Sequence, residues 1–303
     1  MKQRISIICT ILMMVLLVVG CGPTQTGTTG ATRQVTDGTG VAVTVPSEPK
    51  RIVPIAASTE DIVLSLVDPS RVAAVGTVVN NVPEASAKVE KHVKATAESM
   101  LSVQPDLVLV PNWMSPDAIG EMRNMQIPVY VYKTPTTVEE AKAVIHEIAG
   151  LLHASDETMI ASMDADLKTV ENIANKHSGE RPLVAFYTQF GLTGGKGSTF
   201  DDMTKYLKVH NAAAKLGLGP FDNGTREDLI KANPDIIIIP SVDYTSDGTT
   251  PAAAEQLYSD PALQGVKAIA NRRVFLVDSS QVMSYSQFMT RAMVSMAQNI
   301  YSM

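Results

Sequence analysis

Short aliphatic runs alternate with helical patterns along most of this chain. "RIVPIA" (51–56), "RVAAVG" (71–76), "DLVLV" (106–110) and "PVYVY" (128–132) are apolar without polar alternation. Such strands are buried on both faces, as in a parallel sheet covered by helices. Between them, "STEDIVLSLV" and "SPDAIGEMRNMQ" carry apolar residues at helical spacing, and "VEEAKAVIHEIAGLLH" closes the set. Residues 35–154 are therefore expected to form a doubly wound α/β lobe. It opens with "QVTDGTGVAVTV", where Asp37-Gly38 between alternating Val and Thr predicts a hairpin. From Thr137 to His177 there is no strand signal. Ser155 as N-cap, with Asp156 and Glu157 in the first turn, starts a long helix. Met159, Met163, Leu167, Val170 and Ile173 mark its apolar stripe. This linking helix, placed over 155–178, would reach about 35 Å and bridge two lobes. A second lobe over 179–303 repeats the strand–helix alternation: "RPLVAFYTQF", "STFDDMTKYLKV", "DIIIIP", "RRVFLVD", then "SYSQFMTRAMVSMAQNIY".

One phrase is written once per lobe. "TAESMLSVQPDLVLV" begins at Thr96, and "TREDLIKANPDIIII" begins at Thr225. Thr can cap a helix, an acid suits its first turn, the apolar pair packs it on the sheet, and Pro-Asp ends it. By local physics alone, Glu98 and Glu227 are first-turn acids of a generic joint. As equivalent exposed acids on a pseudo-symmetric molecule, they could instead meet two basic pockets of a symmetric partner.

Length and charge narrow the class. The 303 residues suit about two domains, and the net charge of −6 argues against a nucleic-acid partner. Residues 1–20 combine Lys2 and Arg4 with an apolar run from Ile5 to Val19, which is a secretory signal too short to span a bilayer. The ending "VVGC" resembles a bacterial lipobox, which implies cleavage before Cys21 and lipidation of that residue. The alternative is an ordinary signal peptide with a chance cysteine. Residues 21–34, almost all Gly, Thr and small polar residues, read as a flexible tether to the membrane. Cys9 lies within the signal, so the mature chain has no cysteine beyond Cys21, and thiol catalysis, disulfides and cysteine metal sites are excluded.

The lobe-joining helix, "VPSEPKRIV", "GKGSTFDDM" and the two Pro-Asp phrases together resemble the periplasmic-binding-protein family that serves ABC importers of iron-siderophores, haem and cobalamin. The resemblance covers nearly the whole mature chain. It implies two Rossmann-like lobes joined by a single long helix, with the ligand in the cleft between them. It also implies that Glu98 and Glu227 dock on arginines of an ABC permease dimer with its ATPase subunits. The expected protein is an exported monomer with no cofactor beyond its transported ligand, anchored by lipid to the outer face of the cytoplasmic membrane or facing the periplasm.

Loops at the carboxyl ends of strands should line the cleft. In the first lobe these hold Ser58 and Thr59, Asn80 and Asn81, and Trp113 and Met114. In the second they hold Tyr187 and Phe190, Tyr244, and Gln281, Met283 and Tyr285. Aromatics suit a large flat ligand such as a corrin, porphyrin or catecholate, although an aromatic at a strand end can equally be the rim of the core. Only Lys133 and Lys196 lie near these loops, whereas a ferric catecholate calls for more cations. That leans toward cobalamin, a related corrinoid or a neutral iron chelate. Haem stays open, since Tyr187, Tyr244 or Tyr285 could ligate iron. The five histidines form no metal constellation, which weighs against a free zinc or manganese ligand. "GLTGGKGST" fails the phosphate-loop spacing and reads as a turn or an anion-binding loop. With no G-x-S-x-G, H-E-x-x-H or cysteine nucleophile, an exported enzyme is the weaker reading.

Overall fold

The computed structural model describes residues 31–76, 81–241 and 251–302. Cys21, Asn80 and Tyr244 lie outside the described residues. The first lobe opens with the antiparallel hairpin β1 (Thr32–Thr36) and β2 (Ala42–Pro46), paired from Thr32↔Pro46 to Thr36↔Ala42. Asp37 makes its turn by accepting from the Thr39 and Val41 amides at 2.9 and 3.0 Å. Then come β3 (Ile52–Pro54), α1 (Ala57–Leu66), α2 (Pro83–Ser86), α3 (Ala97–Val103), β4 (Leu107–Pro111), α4 (Pro116–Asn124), β5 (Val129–Tyr132) and α5 (Val138–Leu152). The strands pair in parallel in the order β3-β4-β5.

Next comes α6 (Glu157–Asn175), which leads into β6 (Leu183–Thr188), β7 (Gly191–Thr193), α7 (Thr199–Tyr206), β8 (His210–Asn211), α8 (Ala212–Lys215), α9 (Arg226–Ala232) and β9 (Ile236–Pro240). The remaining elements are α10 (Pro251–Ser259), α11 (Lys267–Ala270), β10 (Val274–Val277), α12 (Ser279–Val282) and α13 (Met289–Tyr301). The second sheet runs β10-β9-β6-β7, with β8 also on β6; only β7 is antiparallel.

The apolar runs sort by parity. Leu107 and Leu109 enter one core cluster while Val108 and Val110 enter another. In β9, Ile236 and Ile238 split likewise from Ile237 and Ile239. Successive strand residues point to opposite faces, and here both faces are covered, so no polar alternation survives. One cluster is continuous between lobes: it takes Ile62 and Ile145 from the first, Met163 and Val170 from α6, and Phe186 and Met293 from the second.

Three expectations are corrected. "RVAAVG" forms no strand; it makes only the single bridges Ile52↔Val72 and Val75↔His92, because the short β3 offers it too few partners. The long helix has 19 residues and Asp156 as N-cap rather than Ser155, giving about 28 Å. Its expected stripe does face inward, with Met163 and Val170 fully buried and Met159, Leu167 and Ile173 packed against the core. In the repeated phrase only the first member of each apolar pair is buried: Met100 and Leu229 are 0% exposed, while Leu101 and Ile230 stand in solvent.

Polar contacts also join the lobes. The Asp61 carboxylate on α1 is fully buried and accepts from the Ser286 hydroxyl at 3.0 Å and the Ser284 hydroxyl at 3.3 Å. From its own lobe it accepts the Asn81 amide and side chain at 2.7 and 2.8 Å. Asn81 in turn meets Ser280, and Val138 donates its amide to Asp202 at 2.9 Å.

Candidate functional site

A cleft of about 610 Å³ opens between the lobes. Its first wall is the loops at the carboxyl ends of β4 and β5: Asn112 and Trp113, then Lys133 to Thr136. Opposite stand the start of α7 (Gly197 to Thr199), Pro220, Phe221 and Tyr285. Asn112 ties the first two loops together, its Oδ1 accepting from the Thr134 amide at 3.0 Å and hydroxyl at 2.7 Å. Glu140 fixes the neighbouring turn by accepting from the Thr136 amide and hydroxyl at 2.7 and 2.8 Å. Those bonds, the amide's first, hold the Glu140 carboxyl below its ordinary range. Ser198 caps α7 through the Asp201 amide.

The wall is aromatic and almost uncharged. Trp113 is 62% exposed and Phe221 92% exposed, so both rings are open to a ligand. Tyr285 sits half-buried between Ser284 and Ser286, the two serines that Asp61 holds. Burial raises the Tyr285 phenol above its ordinary pKa. Lys133 is the one charged side chain among the described lining residues.

The structure thus brings Trp113 and Tyr285 to the same cleft. Ser58 and Thr59 turn inward instead, because α1 starts at Ala57 and puts them in its first turn. There the Thr59 hydroxyl meets the Tyr132 phenol at 2.8 Å, and Ser58 approaches it at 3.4 Å. Met114 is buried in the first lobe's core. Asn81 is spent on Asp61 and Ser280, and the half-buried Tyr187 packs against the second lobe's core. Phe190 and Met283 are exposed and Gln281 is half-buried, all outside the described cleft lining. Phe221 was not foreseen: "GPFDNG" carries no strand signal, and only the fold carries it to the cleft. A second, polar basin of about 560 Å³ holds Arg181, His210, Lys215 and Lys267. It lies at the amino ends of β6, β8 and β9, away from the end where sheets of this kind bind ligands. Among the described residues no three His, Cys, Asp or Glu side chains converge as metal ligands.

The paired phrases form two equivalent joints. Thr96 caps α3 through the Ser99 amide, and Thr225 caps α9 through the Asp228 amide in a reciprocal capping box. Glu98 and Glu227 are exposed in the first turn of each helix. Each helix runs back into the strand that follows it, so its first turn lies toward the carboxyl end of the sheet, the end that carries the cleft.

The model of the family described as periplasmic binding protein matches residues 52–281. The chain therefore belongs to the periplasmic binding protein family, extracytoplasmic proteins that bind substrates for ABC importers rather than transforming them. It is similar to an uncharacterized ABC transporter substrate-binding lipoprotein, YvrC of Bacillus subtilis (strain 168), at 27% identity over 322 residues, covering 99% of this chain and 98% of the relative. A cobalamin-binding protein of Halobacterium salinarum is 22% identical over 269 residues, 86% of this chain and 72% of that protein. Among solved structures, the periplasmic heme-binding protein RhuT of Roseiflexus sp. RS-1 superposes with a TM-score of 0.71 at 20% identity, covering 83% of this chain and 98% of that one.

Proposed function

We propose that this protein captures a metal chelate in its interlobe cleft, a corrinoid first among the candidates, and delivers it to an ABC permease dimer driven by ATPase subunits. The observation that carries this reading is the cleft wall itself: Trp113, Phe221 and Tyr285 around a volume of about 610 Å³, with Lys133 as the charged side chain among the described lining residues. Aromatic faces suit a broad planar or corrin ring, and sparse charge suits a ligand close to neutral. The name of the Halobacterium salinarum relative points the same way. In this reading Cys21 carries the lipid, residues 21–34 are the tether, Glu98 and Glu227 dock on the permease, and the protein acts as a monomer without catalysing a reaction.

Trp113 is the sole tryptophan, so intrinsic fluorescence reports the cleft directly. Titration with cyanocobalamin, haemin and a ferric catecholate should give saturable quenching by cyanocobalamin. No response to any of the three would reject the chelate reading, and stabilisation by zinc or manganese alone would favour a free-ion binder. Haem has one specific support, the Tyr285 phenol in the cleft wall. A haemin complex whose absorption spectrum changes in Tyr285→Phe would select it.

A further inference from the structure

The repeated phrase holds an apolar residue that the core does not use. Met100 and Leu229 anchor α3 and α9 to their sheets, yet the next residues do not follow them inward. Leu101 is 48% exposed and Ile230 38%. Each stands three positions after the exposed acid of its helix, Glu98 or Glu227. Residues three apart share a helical face, so each lobe presents an acid with an aliphatic side chain one turn along. Helix propensity accounts for Leu101, a good helix former, but not for Ile230, since Ile is a poorer helix former than Lys, Glu or Ala in an exposed position. A single exposed aliphatic residue is ordinary. Here the exposure recurs in both lobes at the same distance from the cap, the acid and the Pro-Asp.

We propose that Leu101 and Ile230 are apolar anchors of the surface that docks on the permease, one on each permease subunit. The proposal rests on the reading of Glu98 and Glu227 as docking acids and adds a second contact to each. The partner chemistry follows from the pair: each permease subunit presents a basic side chain beside an apolar recess. A two-fold partner offers that combination twice, and the duplicated helices answer it twice. An aliphatic contact next to the ion pair also keeps water from it, which holds the pair together longer.

The test uses the full-length protein and its cognate permease–ATPase complex in nanodiscs of phosphatidylethanolamine and phosphatidylglycerol, with association read by biolayer interferometry. The Leu101→Gln/Ile230→Gln variant should bind at least tenfold more weakly, as expected from losing two partly exposed aliphatic contacts of about this size. Its salt dependence should match the wild type, and Leu101→Met/Ile230→Leu should restore binding. The Glu98→Gln/Glu227→Gln variant should weaken binding and flatten its salt dependence. Thermal midpoints and Trp113 emission should be unchanged in all three, which separates docking from folding. Wild-type association of the apolar variant, with the acid variant impaired, would overturn the proposal and leave the docking acids standing. Wild-type association of both variants would overturn the docking reading itself.

Discussion

Trp113 and Phe221 present most of their ring surface to solvent, and nothing in the core depends on either. Removing them should therefore cost affinity without costing stability. Trp113→Ala and Phe221→Ala are each expected to weaken cyanocobalamin binding by about tenfold, the scale of one lost aromatic contact, measured by calorimetry. Thermal midpoints should stay close to wild type, since exposed substitutions usually change stability by less than about 0.5 kcal/mol. A large fall in midpoint would mean that the rings are structural. The two residues differ in how they could be read. Trp113 follows an aliphatic strand directly, so its place at a strand end was visible in the chain. Phe221 is positioned by the long path from α8 to α9, and no local pattern announces that. Ser58 and Thr59 lie in a helix instead of the expected loop, because β3 has three residues and α1 follows almost at once.

At the scale of elements, the Pro-Asp of each phrase proves to be more than a helix stop. Asp106 accepts the Lys50 and Arg51 amides at 2.8 and 2.9 Å, and Asp235 accepts the Leu183 amide at 2.8 Å. Each carboxylate thus ties the start of its own strand to the start of the neighbouring parallel strand. Asp106→Ala and Asp235→Ala should each destabilise the protein by about 1–3 kcal/mol in urea unfolding, with Asn in place of Asp recovering part of the loss. No effect would show that the strand starts are held without them. Both aspartates were visible in the sequence, but their partners lie more than fifty residues away and were not. The same limit applies to the apolar pairs, where pattern alone does not tell which of two adjacent residues a helix will bury. Long elements such as α5 and α6 were legible because their stripes run for several turns. "RVAAVG" was misread because its composition suits a strand while its neighbours leave it only two single bridges.

For the whole molecule, Asp61 is the polar centre of the lobe contact. Burial raises its pKa above 3.8, against the opposing hydrogen bonds from Asn81, Ser286 and Ser284. A folded-state value above the unfolded one contributes stability that is present below the unfolded pKa and lost as pH rises through the folded pKa. Asp61→Asn keeps an acceptor and a donor there but does not titrate. Its thermal midpoint minus that of the wild type should therefore grow more positive from acid to neutral pH. The difference cancels other titrations, including that of Asp37. There burial raises the pKa, but bonds from Thr39, Val41 and Arg123 outweigh it and bring the carboxyl below its ordinary value. A difference that is flat or falls with pH would refute the account. Asp61→Ala, which leaves the Ser286 hydroxyl without its acceptor and Ser284 with Ser286 alone, should loosen Tyr285 and weaken cleft binding as well.

The hairpin at the start of the described chain governs how the protein bears a load. Any pull on the residues before Thr32 enters at the Thr32↔Pro46 pair, the open end of an antiparallel ribbon. Ribbons pulled from their open end separate one pair at a time, so the force never falls on all five pairs together. Arg33, which donates to the Gly150 and Leu151 carbonyls at 3.1 and 3.0 Å, is the first side-chain hold, and the turn is pinned by the Asp37–Arg123 ion pair and by the Gly38 amide on the Val131 carbonyl at 2.7 Å. Between them β1 can peel away and yield about 14 Å of slack, at roughly 3.4 Å per residue. The parallel sheets and the cleft lie beyond that point. A tug on the amino-terminal segment is thus absorbed by a small fuse, and the walls that hold the ligand stay where they are.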